Sequence, residues 1–231
     1  MNSQRVVSLV PSSTETLLAL GADVVACTRF CEQPQLRHVG GTKNPAISEI
    51  IELAPDLVVL DREENRVDDH DELVAAGLKV FVSDVTTLES GMQVVADLAA
   101  AAGFPFRELD PLPAPTNRAR RRSAVVPIWR RPWMLIGANT YGASVLAHLG
   151  IDLVAVSDDP YPTIELNQLT GRPPDLVLLP SEPYEFTNYH FDEVQSALPG
   201  ARVISVDGQD LFWWGIRTPG ALERLGQVLS N

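Results

Sequence analysis

What this chain lacks narrows it first. Its two cysteines, Cys27 and Cys31, are spaced C-x3-C with no further Cys or His to complete a zinc site, so they are read as reduced thiols near a loop. The four histidines, His38, His70, His148 and His190, show no H-E-x-x-H spacing and are read as surface or helix residues, and no metal site is expected. Nothing matches a G-x-S-x-G elbow, a P-loop or a G-x-G-x-x-G turn. No apolar stretch approaches the ~18–20 residues of a membrane span, so membrane insertion is not expected. Positive charge is scarce: 18 Lys and Arg face 30 Asp and Glu, a net −12, and a field of that sign repels polyanions, which excludes nucleic acid as a partner. The one basic run, Arg118, Arg120, Arg121 and Arg122, follows the PLPAP segment and reads as a solvated linker face. No secretory signal is visible, because RVVSLV begins at Arg5 and reads directly as a strand ended by Pro11. The expected location is cytoplasmic, or periplasmic or lipid-anchored if a signal has been removed.

What is present is an internal duplication. LALGADVVA (18–26) matches AHLGIDLVA (147–155), PDLVVL (55–60) matches PDLVLL (174–179), and GLKVFVSDV (77–85) matches GARVISVDG (200–208), in the same order. Each half reads as short, nearly all-apolar strands alternating with amphipathic helices, the pattern of a parallel sheet covered on both faces. Strands are expected near 5–10, 24–28, 57–60 and 80–82, then near 124–128, 153–156, 176–179 and 203–206. A helix near 13–20 is expected to open with Ser13 or Thr14 as its cap. Residues 88–103 carry Met92, Val95, Leu98 and Ala102 at helical spacing and read as a connecting helix, after which Pro105, Pro111, Pro113 and Pro115 forbid a long continuous one. The expected fold is α/β: two Rossmann-like lobes, each a parallel sheet flanked by helices, joined by the connecting helix, with a cleft between them. The boundaries are 1–86 for the first lobe, 87–122 for the connecting helix and linker, and 123–231 for the second lobe.

Ligands of parallel α/β sheets bind at the carboxyl ends of the strands. All four tryptophans, Trp129, Trp133, Trp213 and Trp214, fall in the segments that follow strands, with Tyr161, Tyr184 and Phe30. Such aromatics supply area for a flat ligand rather than core packing. Charged groups in the same segments include Arg29, Glu63, Glu64, Arg66, Arg130, Arg131, Glu182 and Arg217. Glu63 and Glu64 are neighbours that point apart, so their pairing is read as negative charge before a helix N-terminus rather than as acid–base chemistry.

Three segments, RVVSLVPSSTETLLALG, VGGTKNPAISEIIELAPDLVVLDREENR and VDGQDLFWWGIRTPGAL, resemble the class III substrate-binding proteins of cobalamin and iron-siderophore ABC transporters over nearly the whole chain. EENR, IWRRPW, EPYEF and the Trp-rich DGQ loop are similar to a short, signal-less subgroup of helical-backbone metal receptors. The resemblance implies a non-catalytic binding protein for a small molecule, with cobalamin or another corrinoid, haem or an iron chelate as the candidate ligand. It places Pro11, Ser12, Phe30, the Asp61–Arg66 loop with Glu63, Glu64 and Arg66, Trp129, Trp213 and Trp214 at the cleft, and the strand-end segments add Arg130, Tyr184 and Arg217 as candidate ligand-binding residues. Two other readings stand beside it, an exported transporter receptor and an enzyme using the same cleft. Exported members present a glutamate on each lobe to permease arginines. The aligned positions here hold Ser48 and Asn167, with Glu49 and Glu165 adjacent, so an ABC permease is not expected as a partner.

Overall fold

The computed structural model describes residues 4–105, 109–116, 121–171 and 173–230. Arg118 and Arg120 of the basic run lie outside the described residues; Arg121 lies within them and pairs with Asp152 at 2.8 Å. The described chain forms two compact units. The first comprises the described parts of Met1–Val85, Glu89–Asp110 and Trp214–Arg217, and the second those of Thr86–Leu88, Pro111–Trp213 and Thr218–Asn231. Trp214–Arg217, placed in the C-terminal lobe by the sequence boundaries, thus belongs with the N-terminal unit. There the Ile216 N–H meets Thr16 Oγ1 at 3.3 Å, and Gly215, at φ 101°, leaves no room for a Cβ, which would stand 2.3 Å from that same oxygen.

In the N-terminal unit the elements run β1 (Arg5–Ser8), α1 (Pro11–Ala19), β2 (Asp23–Cys27), a 3-10 turn (Arg29–Cys31), β3 (Arg37–His38), α2 (Ile47–Leu53), β4 (Leu57–Asp61), α3 (Val67–Ala75), β5 (Val80–Ser83) and α4 (Leu88–Ala101). The sheet is parallel, in the order β3-β2-β1-β4-β5. The expected strands and the connecting helix, here α4, all form. The expected caps of α1 do not. Pro11 stands at the first helical position, where its missing N–H costs nothing, and Val10 is the cap residue without a side-chain bond. Ser13 and Thr14 are buried one turn inside.

The C-terminal unit runs β6 (Arg122–Val125), β7 (Pro127–Trp129), β8 (Trp133–Leu135), α5 (Tyr141–His148), β9 (Ile151–Leu153), β10 (Thr163–Ile164), a 3-10 turn (Leu166–Leu169), β11 (Leu176–Pro180), α6 (Asn188–Ala197), β12 (Arg202–Val206), α7 (Gly208–Phe212) and α8 (Thr218–Ser230). Its main sheet is parallel, in the order β12-β11-β6-β9, which is the order of β5-β4-β1-β2. The strand expected near 124–128 divides after Val125. Its second part, β7, turns back into β8 as an antiparallel hairpin that pairs with β10, so the PIWRRPW segment is largely sheet rather than loop.

The repeated motifs have matching physical jobs. Gly21 and Gly150 end α1 and α5 with φ of 81° and 75°, the left-handed conformation that glycine adopts without a Cβ penalty. Asp56 and Asp175, of the two Pro-Asp pairs, each accept a backbone N–H near the start of the neighbouring central strand, from Arg5 at 2.7 Å and from Ser123 at 2.8 Å. The strands that follow, LVVLD and LVLLP, are buried at every position, as a parallel strand covered on both faces requires. Each unit has its own apolar core: Val7, Leu9, Val58, Leu60 and Leu73 in the first, and Val125, Leu135, Val177, Leu179 and Val194 in the second.

Candidate functional site

In the N-terminal unit the strand-end loops are held by hydrogen bonds. Asp61, at the end of β4 and 5% exposed, spends its carboxylate inside the loop it begins. Oδ1 accepts from the N–H groups of Glu63 at 2.9 Å and Glu64 at 3.3 Å, and Oδ2 from the Ser83 hydroxyl at 2.7 Å. Asn65 closes the loop from the other side, its Oδ1 accepting the Asp61 N–H and its Nδ2 donating to Thr42 O. Burial raises the Asp61 carboxyl above its ordinary range, against the pull of these bonds. Lys43 Nζ donates to Glu63 O, Arg62 pairs with Asp84, and Arg66 pairs with Asp68. With its acceptors committed to the loop, Asp61 is a framework residue rather than a proton acceptor for a substrate.

Beneath the Pro11–Ser12 corner lies a second polar set. Thr14 Oγ1 is 2.8 Å from both Ser8 Oγ and Val10 O and 3.2 Å from Cys31 Sγ, and Thr28 Oγ1 is 3.3 Å from the same sulfur. Cys27 and Cys31 are both free thiols and both buried. Hydrogen bonding from Cys27, with support from the two hydroxyls, favours ionisation at Cys31, and Cys27 is raised in turn. Phe30, between them on the 3-10 turn, is half exposed with the Arg29 guanidinium 4.7 Å from its ring centre. Arg217 is bonded through two nitrogens to Glu15, at 2.7 and 3.1 Å.

In the C-terminal unit the equivalent positions carry rings. Trp129 ends β7 and is 47% exposed; its ring centre lies 5.3 Å from that of Tyr184, edge to face. Tyr184 continues to Phe186 at 4.9 Å, and Phe186 stacks on Trp133 at 6.0 Å with an interplanar angle of 6°. His190, in the first turn of α6, joins Tyr184 and Phe186 edge-on. Its Nδ1 accepts the Thr187 N–H at 3.0 Å, so the ring proton belongs on Nε2, which faces the Tyr184 hydroxyl at 3.2 Å. Arg130 lies over Trp133, 4.7 Å from the ring centre, and pairs with Glu193 through both arms of its fork.

Trp213 and Trp214 do not present open faces. They are 8% and 5% exposed, and Trp213 Nε1 donates to Glu182 Oε1 at 2.6 Å. This corrects the expectation that loop aromatics add surface rather than packing. The reason is local: Asp207 caps α7 by accepting the Asp210 N–H, and Gly208 fits where a Cβ would stand 2.6 Å from Glu182 Cγ. The tryptophan is thereby drawn inward onto the 181–184 loop. The other expected residues divide by unit. Pro11, Ser12, Phe30, Glu63, Glu64, Arg66, Trp214 and Arg217 are in the first, and Trp129, Arg130, Tyr184 and Trp213 in the second. Sequence reading missed Phe186, His190 and Glu193; the capping pattern Thr187-x-x-His190 was the signal available for the histidine. Among the described residues no group of three or more His, Cys, Asp or Glu stands where it could hold a metal ion, and no helix is long and apolar enough to cross a membrane.

The chain is 26% identical over 249 residues to the vitamin B12-binding protein of Yersinia pestis strain Pestoides F, a match that covers 99% of this chain and 86% of that protein. In sequence the chain is thus similar to a vitamin B12-binding protein over nearly its whole length. The relationship extends to fold. The periplasmic vitamin B12-binding protein of Vibrio cholerae matches with a TM-score of 0.77 at 17% identity, over 99% of this chain and 97% of that one. A periplasmic haem-binding protein from Pseudomonas aeruginosa matches with a TM-score of 0.77 at 20% identity, over 97% and 92%. No protein-family model matches the chain. Both solved structures share the α/β fold described above.

Proposed function

We propose that this chain is a non-catalytic binding protein for a large flat macrocycle of the corrinoid or metalloporphyrin class. The observation that carries the reading is the ring cluster after the C-terminal strands, in which an exposed Trp129 is braced by Tyr184 and Tyr184 by Phe186 and His190. Rigid aromatic faces of this kind bury ligand area at low entropic cost. In the N-terminal unit, Phe30, Glu63, Glu64 and Arg66 are exposed after the strands and are proposed as ligand contacts of that unit, as are Pro11, Ser12 and Arg217. Relatives named for binding vitamin B12 and haem support a binding role over the enzyme reading. Titration of the purified protein with cyanocobalamin and with haemin, followed by tryptophan fluorescence, tests the proposal. Saturable quenching that Trp129→Ala and Tyr184→Ala weaken is expected; absence of saturable binding to either ring would refute it.

The periplasmic location of the two named structures favours a place outside the cytoplasm over the cytoplasmic one expected from the sequence. We propose that any permease contact does not use the family's carboxylate pair. Glu49 is engaged by Arg37 at 2.8 Å, and Glu165 caps the 166–169 turn in a reciprocal pair with Gln168. Ser48 and Asn167 carry no charge. Binding to a reconstituted permease that vanishes on Glu49→Ala with Glu165→Ala would overturn this.

A further inference from the structure

The cation on the aromatic face of the C-terminal unit is already neutralised. Arg130 leaves β7 directly after Trp129, lies on Trp133, and is gripped by Glu193 of α6, with Nε 3.0 Å from Oε2 and Nη2 donating to Oε1. The two side chains are only 20% and 25% exposed, so the pair is partly sheltered from water. A guanidinium fork is the group best shaped to take a carboxylate or phosphate through two parallel bonds. Here the protein's own carboxylate occupies it. The neighbouring charges act in the same sense: Glu182, Glu185, Asp192 and Glu193 stand on the segments that frame the cluster, against Arg130 and the exposed Arg131. An anionic rim brought to this face would meet a net negative field.

We infer that Glu193 is a specificity-determining residue that disfavours carboxylate-bearing macrocycles, so that the preferred ligand is a large ring whose periphery carries uncharged carboxamides. The inference rests on the ring cluster being the ligand face. A carboxamide donates and accepts hydrogen bonds without bringing charge, so it meets a neutral Arg130–Glu193 pair without loss. A carboxylate would have to displace Glu193 from the Nε–Nη2 side of the fork and leave it unpartnered, or approach the remaining N–H groups against the charge of Glu193 itself.

The test is a titration of wild type, Glu193→Gln and the double variant Arg130→Gln/Glu193→Gln with three probes: cyanocobalamin, its acid-hydrolysed derivative in which peripheral amides are carboxylates, and haemin, whose ring bears two carboxylates. Wild type should bind cyanocobalamin at least about tenfold more tightly than either anionic ring. Glu193→Gln frees the guanidinium and should narrow that ratio about tenfold, and the double variant, neutral again, should restore the wild-type preference at whatever affinity remains. The double variant lacks both charges, so its unfolding midpoint, measured beside its affinities, separates loss of structure from loss of selectivity. Equal wild-type binding of an anionic ring, or a ratio unmoved by Glu193→Gln, would overturn the role of Glu193 and leave the macrocycle reading standing. Failure of wild type to bind any of the three would refute that reading and this inference with it.

Discussion

After β4 of the N-terminal unit the chain is held by a closed set of hydrogen bonds centred on Asp61, whereas after β11 of the C-terminal unit it is held by contacts among Tyr184, Phe186, His190 and the neighbouring tryptophans. The two loops leave sheets of the same strand order, and both sheets use a Pro-Asp carboxylate to anchor the central strand. What differs is the chemistry at the strand ends. A hydrogen-bonded loop is directional and leaves desolvated donors behind when one partner is lost. A ring cluster is less directional and keeps face area open to solvent, as at Trp129. The two units share a scaffold and differ in their loops.

The largest test of this contrast concerns Trp213, which braces the ring-bearing loop from inside. Trp213→Ala removes a buried indole and its bond to Glu182, and should destabilise the protein by about 3–5 kcal/mol in denaturant unfolding. A loss under about 1 kcal/mol would show that the loop does not depend on this anchor.

On the hydrogen-bonded side, Asp61→Ala strands the N–H groups of Glu63 and Glu64 and the Ser83 hydroxyl, for an expected cost of about 1–3 kcal/mol. Asp61→Asn, which keeps an acceptor in place, should cost distinctly less. Equal losses in the two variants would mean that shape rather than bonding holds the loop.

Trp129→Ala should behave in the opposite way. Its effect on unfolding should stay within about 0.5 kcal/mol, since the ring is half exposed, whereas ligand affinity should fall tenfold or more. A variant that loses stability and binding together would assign Trp129 to the framework.

The smallest effect is a pH dependence. Burial raises the folded-state value of Asp61 above the ordinary carboxylate value of the unfolded chain. Between those two values the native state holds the extra proton, so this group's contribution to stability falls as pH rises through the interval and is constant above it. Asp61→Asn removes the term, so the stability difference between variant and wild type should shift in the variant's favour as pH rises there. Unfolding midpoints across the acid range read this directly; a difference independent of pH would show that Asp61 is not held up.

Parts of this arrangement were legible before any coordinates. Gly21 and Gly150 stand out because a left-handed helix end excludes most other residues, and PDLVVL and PDLVLL because a strand covered on both faces must be apolar throughout. The tryptophans were legible as a cluster in sequence but not as to exposure, since Trp129 ends β7 while Trp213 closes α7, where its bond to Glu182 turns it inward. The β7–β8 hairpin was hidden because Arg130, Arg131 and Pro132 break the alternation that marks a strand.

The sequence by itself determined the duplicated parallel α/β plan and most of its strands, though not the β7–β8 hairpin and not β9, which lies at Ile151–Leu153 rather than near 153–156, because apolar runs, glycine conformations and helix periodicity are properties of neighbouring residues. Only the tertiary structure decided that Arg130 meets Glu193 across 63 positions, that His190 joins Tyr184, and that Trp214–Arg217 returns to the N-terminal unit to meet Thr16 and Glu15. Those outcomes depend on which loops the folded sheets bring within hydrogen-bonding or ring-contact distance, and separation along the chain carries no record of that.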